Sequence, residues 1–92
     1  MVSETTRALG PQIAAMRHLR GLSQRELARR IRTSHSALHA YECGTRDMSI
    51  IMLWRLVNVL QARAIINDQD ESISFIPDDG SGPGGITITP KE

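Results

Sequence analysis

A run of polar side chains near the middle of the chain has the types and spacing needed to hydrogen-bond another molecule. Serine hydroxyls donate and accept hydrogen bonds, and imidazole nitrogens do either, according to their protonation. The edges of base pairs in the major groove of DNA present donors and acceptors of this kind. These side chains fall on one side of a short helical pattern, opposite its apolar face, and they are Ser34, His35, Ser36 and His39.

A metal site is the alternative chemistry for the same segment. His35, His39 and Cys43 recur every four residues, so they would share one face of a helix, as zinc ligands can. No fourth ligand is evident in the sequence, and we predict no metal ion and no cofactor. We also predict no enzymatic activity, because the region expected to fold contains no glycine-rich phosphate loop, nucleophile elbow or paired carboxylates.

Two short helices around a tight turn must position the polar side chains. Ser23 and Glu26 have the S-x-x-E spacing of a capping box, which starts a helix. That helix should stop near Ile31, because the residues that follow supply a turn and, at Ser34, a new N-cap.

The second helix should run from about Ser34 or His35 to Cys43. Gly44 follows it at the position where a left-handed residue commonly ends a helix. The residues of its apolar face are Ala37, Leu38 and Tyr41.

These motifs resemble a known family. The stretch GLSQRELARR followed by SALHAYECGTRDMS is similar to the helix-turn-helix of phage repressors, the Cro/C1 or Xre type, over about residues 11 to 60. The resemblance implies a mainly helical bundle of four or five helices whose third helix enters the major groove. It also implies dimers that bind palindromic operators on double-stranded DNA.

The resemblance also assigns roles to individual residues. Helix N-termini and basic side chains hold phosphates, whereas short polar side chains on the recognition helix read base edges. The expected base-contacting residues are Ser34, His35, Ser36 and His39. The expected phosphate-contacting residues are Gln24, Arg25, Thr45 and Arg46.

Three positions depart from the family pattern. Arg32 stands where the family usually has a turn glycine, which would cost on the order of 1 kcal/mol if the turn needs a positive φ. Met48 stands where a proline is common, and Cys43 replaces a more usual polar residue.

Charge is distributed unevenly along the 92 residues. Residues 1–66 carry ten arginines against four acidic residues, whereas residues 67–92 carry one lysine against six acidic residues. A basic region of this kind points to a polyanionic partner. The single cysteine and the lack of a membrane-length apolar run or signal peptide predict a cytoplasmic protein, associated with the nucleoid through operator binding.

The sequence predicts four segments. Residues 1–10 are expected to be a flexible arm, and residues 11–61 a helix-turn-helix domain that begins with a helix at Pro11. Residues 62–77 contain two β-type runs and are expected to serve dimerisation. Residues 78–92, rich in Asp, Gly, Ser and Pro, are expected to be a disordered tail, although the run Ile86-Thr87-Ile88-Thr89 could add as a strand to another element.

A small domain with few aromatic residues often gains core by dimerising. The two β-type runs allow either a hairpin or a sheet shared between subunits, and we favour the shared sheet because an isolated hairpin is marginal in water. The residues expected at the dimer interface are Trp54, Val57, Leu60, Ile65 and Ile66.

A helical bundle followed directly by a strand resembles the HipB-like antitoxins. This resemblance implies a HipA-type kinase toxin as partner. The sequence therefore favours a dimeric, sequence-specific repressor that neutralises a toxin and represses its own operon. The alternatives are a stand-alone Xre-type regulator and a protein-interaction module that does not bind DNA.

Overall fold

The computed structural model describes residues 3–67, 69, 72–78 and 85–89. Four helices are followed by a small three-stranded sheet, which confirms the predicted mainly helical class. None of the helices in these residues is long and apolar enough to cross a membrane. The elements are α1 (Glu4–Leu19), α2 (Gln24–Arg30), α3 (His35–Glu42), α4 (Ile50–Leu60), β1 (Ala62–Asn67), β2 (Ser72–Pro77) and β3 (Gly85–Thr89).

Each of the four helices begins at a serine whose hydroxyl accepts a hydrogen bond from the backbone N–H three residues later. This bond satisfies one of the N–H groups that a helix start leaves without a partner. At α2 the reciprocal bond from the Glu26 carboxylate is also present, so the predicted capping box is confirmed. The four capping residues are Ser3, Ser23, Ser34 and Ser49.

The first three helices end in the same way, with a left-handed residue after the cap. At α2 the Thr33 N–H bonds the Ala28 carbonyl, and the Arg32 N–H bonds the Arg29 carbonyl, which is the Schellman pattern. The left-handed residue is Gly21 after α1 and Gly44 after α3. After α2 it is Arg32, with a φ of 60°, so the turn does need the positive φ that makes a non-glycine residue costly.

Helix α1 begins seven residues earlier than predicted. The sequence suggested a start at Pro11, but the helix begins at Glu4 and continues through Pro11. The prediction of a flexible arm is therefore wrong for residues 4–10, and residues 1–2 lie outside the described part. Gly10, directly before the predicted start, is buried and packs closely against α3.

The core lies between the four helices and one face of the sheet. Two residues predicted at a dimer interface, Val57 and Leu60, are fully buried in it. That prediction is wrong for both, because their side chains are already covered within one chain. Trp54 is 52% exposed, and Ile65 and Ile66 are partly exposed. The largest fully buried side chains are Ile13, Leu27, Ile31, Leu38, Leu56, Val57 and Leu60.

The sheet has the order β2-β1-β3. β1 pairs antiparallel with β2, so that Ala64 faces Phe75, and parallel with β3, so that Ala64 faces Ile86. The two β-type runs thus form a hairpin within the chain. The expected sharing of β1 between subunits is wrong, because both edges of β1 are already occupied.

The expectation of a disordered tail is also wrong for part of its length. Residues 85–89 form β3 and pair along most of β1. Ile86 packs against the hydrophobic core, which gives this strand an apolar contact as well as its hydrogen bonds. Residues 79–84 and 90–92 lie outside the described part of the chain.

One side chain joins the sheet to the helices. The Gln12 amide on α1 donates to the Ile73 carbonyl over 2.9 Å and accepts from the Phe75 N–H over 2.8 Å. It therefore satisfies two backbone groups on the outer edge of β2, as a neighbouring strand would. An edge covered in this way is not available to pair with another chain.

Candidate DNA-binding surface

Helix α3 has a buried apolar face and an exposed polar face. Ala37, Leu38 and Tyr41 are buried, as predicted. The four predicted polar residues are all exposed, so their side chains can reach another molecule. These exposed residues are Ser34, His35, Ser36 and His39.

Ser34 caps α3 and can still bond another molecule. Its hydroxyl oxygen accepts from the Ala37 N–H over 3.0 Å. The hydroxyl hydrogen is not used by this bond, since a hydroxyl both donates and accepts. The capping role and the predicted contact role of Ser34 are therefore compatible.

His35 is the exposed end of a hydrogen-bonded network that runs through Gln24 and Glu42 to Arg17. The Glu42 carboxylate is held by Arg17 through an Nε–Oε2 contact of 2.8 Å and accepts from the Gln24 amide nitrogen over 3.0 Å. The Gln24 amide oxygen lies 2.9 Å from His35 Nε2. Because a carboxylate only accepts, the Gln24 nitrogen must face Glu42, so its oxygen accepts from a protonated His35 Nε2.

Arg17 and Glu42 are nearly covered from solvent, with side chains 11% and 6% exposed. Arg17 also donates from Nη1 to the Leu22 carbonyl over 3.0 Å. The pair ties α1 to the end of α3 and fixes the orientation of Gln24. Sequence analysis missed this pair, although Arg17 follows Ile13 by four residues and so falls on the buried face of α1.

The residues predicted to contact phosphate differ in their surroundings. Gln24 is half-buried and hydrogen-bonded to Glu42 and His35, whereas Arg25, Thr45 and Arg46 are exposed. Thr45 Oγ1 donates to the Ala40 carbonyl over 3.3 Å. The Arg46 guanidinium lies 5.7 Å from the centre of the Tyr41 ring, a cation–π contact that holds it near the end of α3.

The surface around α2 and α3 is cationic. The ion pairs found among the described residues are Arg17–Glu42 and Arg63–Asp78. The exposed arginines of the helix-turn-helix take part in neither pair, so their charges face solvent. They are Arg25, Arg29, Arg30, Arg32 and Arg46.

The two histidines and the cysteine considered as metal ligands have different hydrogen-bonding partners. His35 pairs with Gln24, whereas His39 Nε2 lies 3.5 Å from Cys43 Sγ. Within the described ranges, no three side chains of His, Cys, Asp or Glu converge in a way that could hold a metal ion.

Comparison with known proteins bears on this arrangement. Among solved structures, the clp gene regulator ClgR from Corynebacterium glutamicum is 30% identical, with a TM-score of 0.60 over 61% of this chain and 60% of that one. The restriction-modification controller protein C.AhdI from Aeromonas hydrophila is 25% identical, with a TM-score of 0.61 over 64% and 89% of the two chains.

An HTH_3 family transcriptional regulator from Vibrio cholerae is 26% identical, with a TM-score of 0.59 over 63% of this chain and 33% of that one. The match therefore covers less than two thirds of the length of this ClgR chain and of the Vibrio regulator. No curated protein sequence matches it. A family model described as a helix-turn-helix domain matches residues 8–64, more than half of the chain, and the protein belongs to this helix-turn-helix family, of the Xre type.

Proposed function

We propose that this protein is a sequence-specific transcriptional repressor that binds a palindromic DNA operator as a dimer. The observation that carries the proposal is the exposed polar face of α3, on which His35 is held by Gln24. The exposed arginines of the helix-turn-helix, which form no ion pair among the described residues, add positive charge to this part of the molecule. Such a surface offers hydrogen-bonding groups to base edges and positive charge to phosphates. The similar solved structures are, by their names, a gene regulator, a controller protein and a transcriptional regulator.

The proposed base contacts come from Ser34, His35, Ser36 and His39. His35 is the best oriented of them, because its bond to Gln24 restricts the imidazole ring. Restricting a side chain before binding reduces the entropy lost when the complex forms. The ring then offers its other nitrogen, Nδ1, to a base.

The proposed phosphate contacts come from Gln24, Arg25, Thr45 and Arg46. The Gln24 amide nitrogen carries two hydrogens and gives one to Glu42, so one remains for a phosphate at the N-terminus of α2. Arg46 is restrained by the Tyr41 ring at the other end of α3. The two groups would hold the duplex backbone on either side of the recognition helix.

The proposed dimer uses the exposed face of α4. Ile50, Ile51 and Trp54 are large apolar side chains that remain exposed there. Ile66 lies next to this face, since it lines an apolar cleft of about 270 Å³ together with Ile50. A two-fold dimer would place the recognition helices about 34 Å apart, one turn of DNA, to read a palindrome.

The first test is a binding titration with DNA from upstream of the protein's own gene, beside scrambled DNA, at two salt concentrations. A repressor of its own gene should bind the upstream DNA more tightly, and its affinity should fall steeply with salt because counterions are released. Equal, weak binding to both DNAs would contradict an operator at the protein's own gene and would place the operator elsewhere. No binding to either would favour the interaction-module alternative.

Two variants separate the proposed roles. His35→Ala should lower operator affinity by about 1–3 kcal/mol and relax the preference at one base pair, measured with a panel of single-base operator changes. Unaltered affinity and preference would contradict a base contact by His35.

Arg46→Ala tests the proposed phosphate contact and is compared with His35→Ala. It should weaken binding to all sequences about equally and reduce the slope of log affinity against log salt by about one per protomer. A changed base preference with an unchanged salt slope would contradict the phosphate role of Arg46.

We further propose that the repressor is the HipB-like antitoxin of a toxin–antitoxin operon, with a HipA-type kinase as the toxin. The sheet that directly follows α4 supports this narrower function. Co-expression with the product of the neighbouring gene tests it. A stable complex that still binds the upstream DNA is the expected result, whereas no complex would leave a stand-alone regulator.

A further inference from the structure

Arg32 adopts a backbone conformation that the same chain elsewhere gives to glycine. Helices α1, α2 and α3 end in the same pair of hydrogen bonds, and each places one residue in the left-handed region. The residue is glycine at Gly21 and Gly44 but arginine at position 32, where φ is 60°. An arginine at this position is strained by its Cβ in a way that glycine is not.

The other left-handed residue with a side chain shows how a fold can enforce this conformation. Gln61 has a φ of 49°. Its carbonyl accepts from the Asp78 N–H over 2.9 Å and from the Arg20 guanidinium over 2.8 Å. Contacts from two distant parts of the chain therefore hold Gln61 in place, so its strain has a structural cause.

Arg32 has no comparable support within the described residues. Its backbone N–H bonds only to the local Arg29 carbonyl, and its side chain is exposed and forms no ion pair or hydrogen bond there. The turn requires the left-handed conformation, but no contact among the described residues requires an arginine there instead of a glycine. A strained residue of this kind is a candidate for a functional role. The feature that arginine has and glycine lacks is a long cationic side chain.

The position of Arg32 indicates what that side chain would bind. It lies in the turn that joins α2 to α3, two residues before Ser34 caps the recognition helix. Arg25 and Arg29 precede it at helical spacing, and both are exposed. We propose that Arg32 contacts a phosphodiester of the operator backbone and extends the phosphate-binding surface from the N-terminus of α2 into the turn. This inference rests on the proposed DNA-binding function.

The test uses three substitutions at Arg32 and one matched control. Arg32→Gly removes the charge and the strain, Arg32→Asn removes the charge but tolerates the left-handed conformation, and Arg32→Lys keeps the charge. Gln61→Gly is the control, because it relieves the same kind of strain at the end of α4, outside α2, α3 and the turn between them. Each variant is measured for thermal unfolding and for operator affinity over a range of salt concentrations.

Arg32→Gly and Gln61→Gly should both raise the melting temperature, by about 4–8 °C where the full strain is relieved. Only changes at Arg32 should alter DNA binding. Arg32→Gly and Arg32→Asn should reduce the salt slope by about one per protomer, which lowers affinity about fivefold per protomer at roughly 0.15 M salt. Arg32→Lys and Gln61→Gly should keep the wild-type slope.

Wild-type affinity and salt slope in Arg32→Gly and Arg32→Asn would overturn the inference. If Arg46→Ala reduces the slope in the same assay, the DNA-binding function stands and only the role of Arg32 fails. If the wild-type protein binds no DNA at any of the salt concentrations, the proposed function fails and the role of Arg32 fails with it.

Discussion

The helices of this protein and its sheet are specified in different ways. Each helix starts at a serine cap, and α1, α2 and α3 end in a left-handed residue, so these boundaries depend on groups only a few residues apart. The sheet depends on partners far apart in the chain, since β1 pairs with β3 more than 20 residues away. Local chemistry thus defines the helices, whereas packing against the helices selects the order of the strands.

The two regions also differ in how they are joined to the rest of the molecule. The helices are linked by a nearly buried ion pair, Arg17–Glu42, that is continuous through hydrogen bonds with Gln24 and His35. The sheet is joined to the helices by core contacts of Ala64 and Phe75 and by the amide of Gln12. Damage to the ion pair should affect folding and DNA binding together, whereas damage to the Gln12 link should stay largely in the sheet.

Arg17→Met is expected to have the largest effect. It leaves the Glu42 carboxylate nearly buried without its charged partner, which should reduce the free energy of unfolding by about 3–5 kcal/mol. The measurement is equilibrium unfolding by urea, followed by circular dichroism. The double variant Arg17→Met/Glu42→Leu is the control, because it removes both charges and should recover much of the stability.

Operator affinity is measured for the same two variants. The double variant also removes the acceptor for the Gln24 amide, so it should bind the operator more weakly than the wild type even where it folds well. If Arg17→Met is as stable as the wild type, the ion pair does not contribute to the free energy of unfolding as expected. A stable double variant with full operator affinity would show that Gln24 needs no orientation by Glu42.

Sequence reasoning succeeded where the signal is local. The Ser23–Glu26 capping box and Gly44 fixed the boundaries of α2 and α3, and the polar and apolar faces of α3 followed from the helical period. It failed at the start of α1, because Gly10 next to Pro11 has the local signature of a break. The actual reason for glycine at that position is the approach of α3, which lies more than 30 residues away.

The remaining errors have the same origin. Val57 and Leu60 form an apolar stripe that predicts burial, but the stripe does not say whether the chain or a second copy covers it. The ion pair between Arg17 and Glu42 joins residues 25 positions apart, so only the placement of Arg17 on an apolar face pointed to it. The alternating run Ile86-Thr87-Ile88-Thr89 indicated a strand, but no local signal pointed to β1 as its partner.

Gly10→Ala tests the close approach of α1 to α3 and should have the next largest effect. A Cβ at this position would lie 2.5 Å from the Glu42 carbonyl oxygen and 2.8 Å from that of Tyr41. Both are backbone atoms, so the helices must separate, at a cost of about 2 kcal/mol in the free energy of unfolding. Urea unfolding again provides the measurement.

Gly21→Ala is the matched control for Gly10→Ala. Its added Cβ would meet nothing within 4 Å, but its φ is +70°, so it carries only the backbone strain. It should cost about 1 kcal/mol, less than Gly10→Ala. The reverse order would mean that α1 and α3 separate easily and that the left-handed turns limit stability more than helix packing does.

Gln12→Ala should have the most local effect of these changes and the smallest effect on the helices. It removes two hydrogen bonds from the edge of β2, each worth about 0.5–1.5 kcal/mol, and leaves the Phe75 N–H and the Ile73 carbonyl to be solvated. Hydrogen exchange should therefore accelerate at the Phe75 amide while the amides of α3 keep their protection, since local opening follows the local contacts. Operator affinity should not change.

Gln12→Glu separates the two bonds, because the carboxylate can still accept from the Phe75 N–H but can no longer donate to the Ile73 carbonyl. Its exchange rate at Phe75 should lie between those of the wild type and Gln12→Ala. If Gln12→Ala instead accelerates exchange in α3 by the same factor, the sheet and the helices open as one unit. The helices and the sheet would then still differ in how the sequence specifies them, by local signals in one case and by packing in the other. They would not differ in how they unfold.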